Sequence, residues 1–301
     1  MKEASTFKEI LKQQIKKGDV AAVVNYDNYI NLLLSIHKDS SETFNWDNFA
    51  GKPEPKLPLR LSVNQDIAEQ AYKAYEPTVL DKMLGQSKKK LKDLMKNTEQ
   101  AKRYDDLIYN AALKEFRAEH QNWEKIQFIA KGIKNEDPAA YQQAIEFFNP
   151  FQQLIQLGAK LRCESFSEYV IAHLNLHAEE IIPDYIVSQT EAGKVRKSQM
   201  PELKFNEICH HHVCACALRV GREIFALLPV KCVFVNAYSF LPERAGGVNE
   251  KQVILSVKFT RSELLKLNFN ALSGPDHLAA FSHNMDFSVN SGFLPTQPVT
   301  N

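Results

Sequence analysis

The densest run of chemically competent side chains is Cys209-His210-His211-His212-Val213-Cys214-Ala215-Cys216. On a helix, Cys209, His212 and Cys216 fall at i, i+3 and i+7, one stripe, and His210 with Cys214 forms a second pair at i, i+4. Thiolate and imidazole at that spacing can bind zinc when a fourth donor arrives from elsewhere, and His173, His177 or Cys232 would have to supply it. Packing is the preferred reading. Cysteine is a small core hydrophobe, Cys214 and Cys216 point to different helix faces, and no compact Cys-x-x-Cys pair exists. The sequence therefore predicts no cofactor, with Cys209, His212 and Cys216 as the ligands to inspect should zinc be present.

Other constellations are sparser. Asp184, Glu191 and Lys194 have the residue types of a metal-dependent nuclease, but Glu191 and Lys194 fall in a turn with the wrong alternation, so a solvated hairpin tip is the better account. A nucleophile reading needs Cys163 or Cys232 beside a histidine, and Cys232, at the start of an alternating strand, reads as packing. No Gly-x-Ser-x-Gly elbow, phosphate loop or dinucleotide fingerprint occurs. Arg219, Arg222 and Glu223 interrupt an otherwise apolar helix. They either line a cleft with His283 and Asp286 or emerge at an edge facing the helical half of the chain; the second is preferred, because buried charge is costly without partners. The strongest local charge signal is Lys82, Lys88, Lys89, Lys90, Lys92, Lys96, Lys102 and Arg103, against only Asp93 and Glu99. Such a patch, with Lys88, Lys89, Lys90, Lys92 and Lys96 at its centre, can meet phosphates or an acidic partner. It lacks the aromatic side chains of a single-strand binder.

These residues must be positioned by two kinds of structure. Residues 1 to 17 read as an amphipathic helix stopped by Gly18, and Tyr26 to Lys38 as a second. Residues 40 to 59 are irregular, with Trp46 and Phe49 pinning them to a core. A helix follows from Asn64 to Tyr75. Asn97 or Thr98 caps a long helix to Ile133, whose length predicts a hairpin with a Thr78–Lys96 helix. Asp137-Pro138 restarts a helix that ends near Asn149.

Beyond Gly158 the period changes from helical to alternating. Strand pairs are predicted at 161–163 with 169–176, and at 185–189 with 194–197. Pro201 opens a long apolar helix ended by Pro229, the predicted centre of the domain. Strands follow at 232–238 and 253–259, joined by a loop containing Gly246-Gly247. Short helices are predicted at 262–267 and 276–284, and a loose tail from Thr296. The fold class is α+β, with a helical region over 1–158 that includes the hairpin at about 78–133, and an α+β domain over 159–301 built as a mixed or antiparallel sheet on a long central helix.

Composition narrows the classes. Of 301 residues, 44% are hydrophobic and 24% charged, which is ordinary for a globular chain, and 37 basic residues balance 36 acidic ones. No global field then draws the protein to nucleic acid or to anionic membranes. Neither a secretory start nor an apolar membrane span is present, and five unpaired cysteines suit a reducing compartment, so a cytoplasmic setting without membrane is expected.

Several stretches carry a resemblance. Residues 214–229 and 252–259, together with Leu267-Asn268-Phe269, 281–285, Ser35-Ile36-His37-Lys38, Trp46 and 148–151, resemble a family of uncharacterised bacterial proteins. Many of its members carry a small glycine-rich domain at the N-terminus, which this chain lacks, and the triple histidine at 210–212 is a departure. The resemblance implies the domain layout and a bacterial cytosolic setting, and no chemistry. The expected function is non-catalytic: an interaction or scaffold protein that binds a protein partner or itself through the helical hairpin. The alternatives are a nucleic-acid-associated factor using the Lys82–Arg103 patch, and a metal-dependent enzyme using the Cys209–Cys216 helix.

Overall fold

The computed structural model describes residues 2–241, 250–271 and 273–300; the Gly246-Gly247 loop lies outside them. The fold is α+β, and the chain divides into two compact units, one formed by Met1–Trp46 with Ile129–Asn301, the other by Asp47–Phe128. This division differs from a split at residue 158: the first helices and residues 129–158 belong with the sheet.

In the first unit, α1 (Lys2–Lys17) ends at Gly18, whose φ of +68° suits glycine, and α2 (Ala21–Ser35) follows. After the segment that makes the second unit come α7 (Pro138–Phe148) and α8 (Gln152–Gln156). Asp137 caps α7 by accepting from the Ala139 amide at 2.9 Å, and Asn149 ends it in the left-handed region. Next are β1 (Lys160–Ser165), β2 (Tyr169–Asn175), α9 (Ala178–Ile181), the hairpin β3 (Tyr185–Gln189) and β4 (Val195–Gln199), α10 (Glu202–Leu227), β5 (Cys232–Leu241) and β6 (Glu250–Thr260). The unit ends with α11 (Arg261–Leu264), α12 (Gly274–Leu278), β7 (Ser282–Asn284), β8 (Asp286–Ser288) and β9 (Gly292–Leu294).

The main sheet runs β1-β2-β5-β6-β7, with β2 and β5 parallel and every other pair antiparallel. Alternation sorts its faces. Val170, Ala172, Leu174, Val233, Val235, Ala237, Val257 and Phe259 are buried, while Tyr169, Ile171, His173 and Asn175 are only half-buried. α10 supplies the other half of the core, buried along almost its whole length from Ile208 to Leu227. Helix and sheet meet closely at Gly221: a Cβ there would lie 2.6 Å from the Phe259 ring.

The second unit holds α3 (Trp46–Ala50), apart from its first residue, α4 (Val63–Lys73), α5 (Val79–Met83) and most of α6 (Ser87–Lys134), whose residues from Ile129 count with the first unit. The expected long helix is present but longer. It runs for 48 residues straight through Asn97 and Thr98, and Thr98 bonds back to the Leu94 carbonyl at 3.1 Å instead of capping a start. The expected Thr78–Lys96 partner is thus not a separate helix. The antiparallel partner of α6 is α4 with the extended strap before it. Contacts run in reverse order: Phe49 with Gln127, Lys52 with Trp123, Glu54 with His120, Arg60 with Asp106 and Asn64 with Asp105.

Two further expectations are corrected. Residues 276–284 do not form one helix: α12 ends at Leu278, and 282–284 pair with β6 as β7. The tail is held, with Thr296 donating to the Val253 carbonyl, Val299 to Ser256 Oγ at 2.8 Å, and Asn284 to the Gln297 carbonyl.

The Gly221–Phe259 contact makes a prediction. Gly221→Ala forces the ring or the helix to move and should lower stability by about 1–3 kcal/mol. Urea denaturation reads this as a lower midpoint at constant slope; an unchanged midpoint would mean that the helix does not approach the sheet this closely.

Candidate interaction surface

The Cys/His segment and the interrupting charges turn out to be one structure. His212, Cys216, Arg219 and Glu223 fall at i, i+4, i+7 and i+11 along α10, a single stripe. That stripe meets the carbonyl end of α2. His212 Nδ1 donates to the Leu33 carbonyl at 3.0 Å, and the Cys216 thiol donates to His212 Nε2 at 3.4 Å. Arg219 donates to the Ile36 carbonyl at 3.2 Å and pairs with Glu223 at 2.8 Å; Glu223 also accepts from the Ser41 amide at 3.0 Å. From beside the stripe, Arg222 donates to the carbonyls of His37, Lys38 and Asp39, its guanidinium 4.0 Å above the Phe269 ring. Helix α2 leaves its last carbonyls without intrahelical donors, and α10 supplies them.

Arg219 and Glu223 do not emerge at an edge: both are buried, with partners from the end of α2 and the loop after it. His283 does not join them. His283 sits on β7 and bonds the Phe281 carbonyl at 2.9 Å, while Asp286 lies on β8. The histidine that does join is His277 on α12, fully buried, with its ring 5.0 Å from Phe269 and 5.7 Å from His37. Sequence reasoning passed over His277. Its only local signal was the Ser273-Gly-Pro-Asp276 capping box, which places a helix start immediately before it.

Nor does the structure assemble a zinc centre from the predicted ligands. Cys209 continues the helix face of the stripe toward the start of α10, where it lines a cavity of about 580 Å³ between α9, α10 and the β8–β9 hairpin. His173 points from the opposite face of the sheet, bonding the Tyr238 hydroxyl at 3.1 Å. Among the described residues no group of three His, Cys, Asp or Glu side chains could hold a metal ion. Burial pushes the Cys214 thiol up to about 12, burial with the nearby Glu179 does the same to Cys209, and burial with Cys214 raises Cys216 as well. These thiols are neutral packing groups, not nucleophiles. Asp184, Glu191 and Lys194 lie along the β3–β4 hairpin and its turn, where Gly193 has a φ of +76°.

The lysine patch lies at the start of α6. Lys90 is drawn out of it to pair with the buried Asp81, leaving Lys88, Lys89, Lys92 and Lys96 exposed.

The second unit has the opposite of a normal interior. Among residues 47–128, only Asp81 and Asp105 are buried. Asp105 accepts from Asn64 Nδ2 at 2.6 Å and from the Gln65 amide at 2.9 Å, and the Asn64 side-chain bond leads in holding its pKa below the usual carboxylate range. Many apolar side chains face outward: Leu59 is 83% exposed and Leu107 68%, with Leu57, Leu61, Val63, Ile67 and Ile108 also exposed, while Phe49, Leu94, Leu113, Phe116, Trp123 and Ile126 are half-buried. Between α4 and α6 runs an open groove of about 520 Å³ with Ala68, Ala71 and Ala101 along it, Ile67, Leu94 and Tyr104 beside them, and Asn64, Asn97 and Gln100 as polar neighbours.

No protein-family model, curated protein or solved structure matches the chain.

Two predictions follow from the buried stripe. Arg219→Met strands Glu223 without its counter-ion and should cost about 3–5 kcal/mol, and Arg219→Met with Glu223→Leu should recover much of that loss. Urea midpoints of the three proteins test this; a double variant no better than the single would show that the pair is not the coupled element.

The second concerns pH. Burial lowers the pKa of His212 and His277, and burial with the neighbouring His211 takes His210 down to about 4. A histidine whose folded pKa is depressed stays neutral while the unfolded chain takes up a proton below about 6.5. Stability is therefore complete above that pH and falls as acid is added, for His210 down to about pH 4. Urea midpoints should drop steadily from pH 7 to about 4.5, and His210→Phe, which keeps the 4.1 Å stack on Phe287, should flatten the slope. A midpoint independent of pH would overturn this.

Proposed function

We propose that the protein is a non-catalytic interaction module whose second unit receives an amphipathic helix from a protein partner in the α4–α6 groove. The observation that carries this reading is that none of the apolar side chains of residues 47–128 is buried. A stretch of that length ordinarily stabilises itself by burying an apolar core, and large exposed apolar patches mark binding sites.

The chemistry of the groove supports a helix as occupant. Ala68, Ala71 and Ala101 leave room for a close approach of backbones, Ile67, Leu94 and Tyr104 offer apolar walls, and Asn64, Asn97 and Gln100 offer hydrogen bonds to a polar flank. Apart from the Asn64 side-chain amide, which is given to Asp105, the intramolecular bonds that hold the unit do not compete for this surface. They lie on the strap and on the Asp105 side of α6, where Trp123 Nε1 donates to the Lys52 carbonyl at 2.8 Å and Gln127 to the Phe49 carbonyl at 3.0 Å. The described side chains of α10 fit the same reading: His212 and Cys216 are committed to hydrogen bonds and Cys214 to packing.

Ile67→Glu with Tyr104→Glu should leave folding intact, since both side chains are more than half exposed. The pair should weaken partner binding by at least about thirtyfold, two carboxylates replacing apolar contacts at the centre of the groove. Capture on immobilised protein, with the eluted partner quantified, tests this; equal recovery of that partner on wild type and variant would remove the groove as the docking site.

A further inference from the structure

A different surface lies at the turn from α5 into α6. Val79, Leu80, Met83 and Leu84 are between 66% and 81% exposed, four apolar side chains on one turn of helix and the residue after it. Leu91 and Met95 continue the exposure along α6. Around them stand Lys82, Lys88, Lys89 and Lys92, with Lys96 one turn further. Lys88, Lys92, Lys96 and Lys89 fall within about 100° of helix arc. Among the described residues the only ion pair in this cluster is Lys90 with Asp81.

That pair shows that the presentation is held in place. Asp81 is 4% exposed. It accepts from Lys90 Nζ, from the Thr78 amide at 3.2 Å and from the Tyr75 hydroxyl at 3.2 Å, and its own amide donates to Thr78 Oγ1 at 3.2 Å. Lys90 above all, with Thr78 and Tyr75, holds its pKa down to about 2, so the anchor persists across physiological pH. Anchored in this way, α5 cannot roll to hide its apolar side chains. From Asp81 onward the turn satisfies amides from within. Lys82 donates to Thr78, Leu84 to Leu80, Gly85 to Lys82 and Gln86 to Asp81, with Gly85 at a φ of +63° closing the turn.

We infer that this turn docks on an anionic lipid surface, the four apolar side chains entering the headgroup–acyl boundary and the lysines meeting lipid phosphates and carboxylates. The amides bonded within the turn limit the polar groups stranded on entering that boundary, and the first two amides of α5 face the hydrated headgroups. Exposed apolar residues with a lysine collar combine the two contributions that hold peripheral proteins on membranes, burial and attraction to acidic headgroups. A protein partner is disfavoured because the four side chains stand on the outside of one turn with no directed polar group between them, whereas the α4–α6 groove has such groups. The inference stands independently of the groove.

The experiment is vesicle co-sedimentation of the full chain. Phosphatidylcholine vesicles containing about a third phosphatidylserine should retain the protein at least about tenfold better than phosphatidylcholine alone. Raising salt from about 0.1 M to about 0.5 M should abolish most of that retention. Leu80→Ser with Met83→Ser should reduce it about tenfold, and Lys88→Glu with Lys89→Glu should do the same, while urea midpoints stay at the wild-type value and Ile67→Glu with Tyr104→Glu has no effect. Equal retention on neutral and acidic vesicles, no retention on either, or retention untouched by the two serines would overturn the inference. So would tight binding to a soluble acidic amphipathic peptide without vesicle binding, which would reassign the turn to a protein partner.

Discussion

The structure of the first unit depends on one requirement: two helix ends finish inside protein, and their carbonyls must find donors there. A carbonyl stripped of water and left unpaired costs about 1–3 kcal/mol, and each helix end has up to four. At the end of α10, the Phe225 and Leu228 carbonyls receive Arg261, the Ala226 carbonyl receives the Phe44 amide, and the Leu227 carbonyl receives Trp46 Nε1 at 2.7 Å. At the end of α2, His212, Arg219 and Arg222 do the same work. The segment between α2 and Trp46 therefore accepts hydrogen bonds at one end and donates them at the other, always to α10. A stretch with no regular structure between residues 38 and 45 is fixed without needing a helix or a strand of its own.

The same requirement explains why a buried helix carries a histidine, a thiol, two arginines and a glutamate. Buried charge is tolerated when paired and fully bonded. Arg219 and Glu223 neutralise each other, and each also bonds the α2 end or the loop that follows it. Arg222 keeps its charge by covering Phe269 and bonding three carbonyls, although burial pulls its pKa down. His212 is held neutral with its Nδ1 proton directed at Leu33, which leaves Nε2 free to accept from Cys216. The residue types that suggest zinc ligation or a charged cleft are the residue types that cap a helix.

Legibility in the sequence tracked how local the controlling interaction is. Alternation in 169–175 and 232–238 and the apolar run of α10 predict sheet and central helix because burial acts on every residue in turn. Asp137-Pro138 and Gly18 mark helix ends because caps are encoded within a few residues. The three-residue strands β7, β8 and β9 carry too few residues for a period to show. The convergence of His37, Phe269 and His277 depends on chain segments more than two hundred residues apart. Asn97 and Thr98 misled for a physical reason. Both are good caps in isolation, yet a helix already running does not restart at a capping residue, and a threonine inside it returns its hydroxyl to the carbonyl four residues back. The lysine cluster was visible, but not that Lys90 serves Asp81, a partner nine residues earlier across a tight turn.

The two units solve the folding problem with opposite materials. In the first, apolar side chains from α2, α10 and both central strands share one core, and polar groups enter it only to satisfy helix ends. In the second, the only fully buried residues are Asp81 and Asp105, the apolar side chains are at most half-buried, and most of the leucines lie outside. Net hydrogen bonds contribute about 1 kcal/mol each, far less than the 1.5–3 kcal/mol of a fully buried leucine. Under the proposed docking, a unit that leaves so many leucines exposed would gain stability when its partner covers them. Polar contacts along the strap then have a definite task. They tie α4 and the strap to α6 in advance, so that under the proposed docking less of the contact energy would go into ordering the surface.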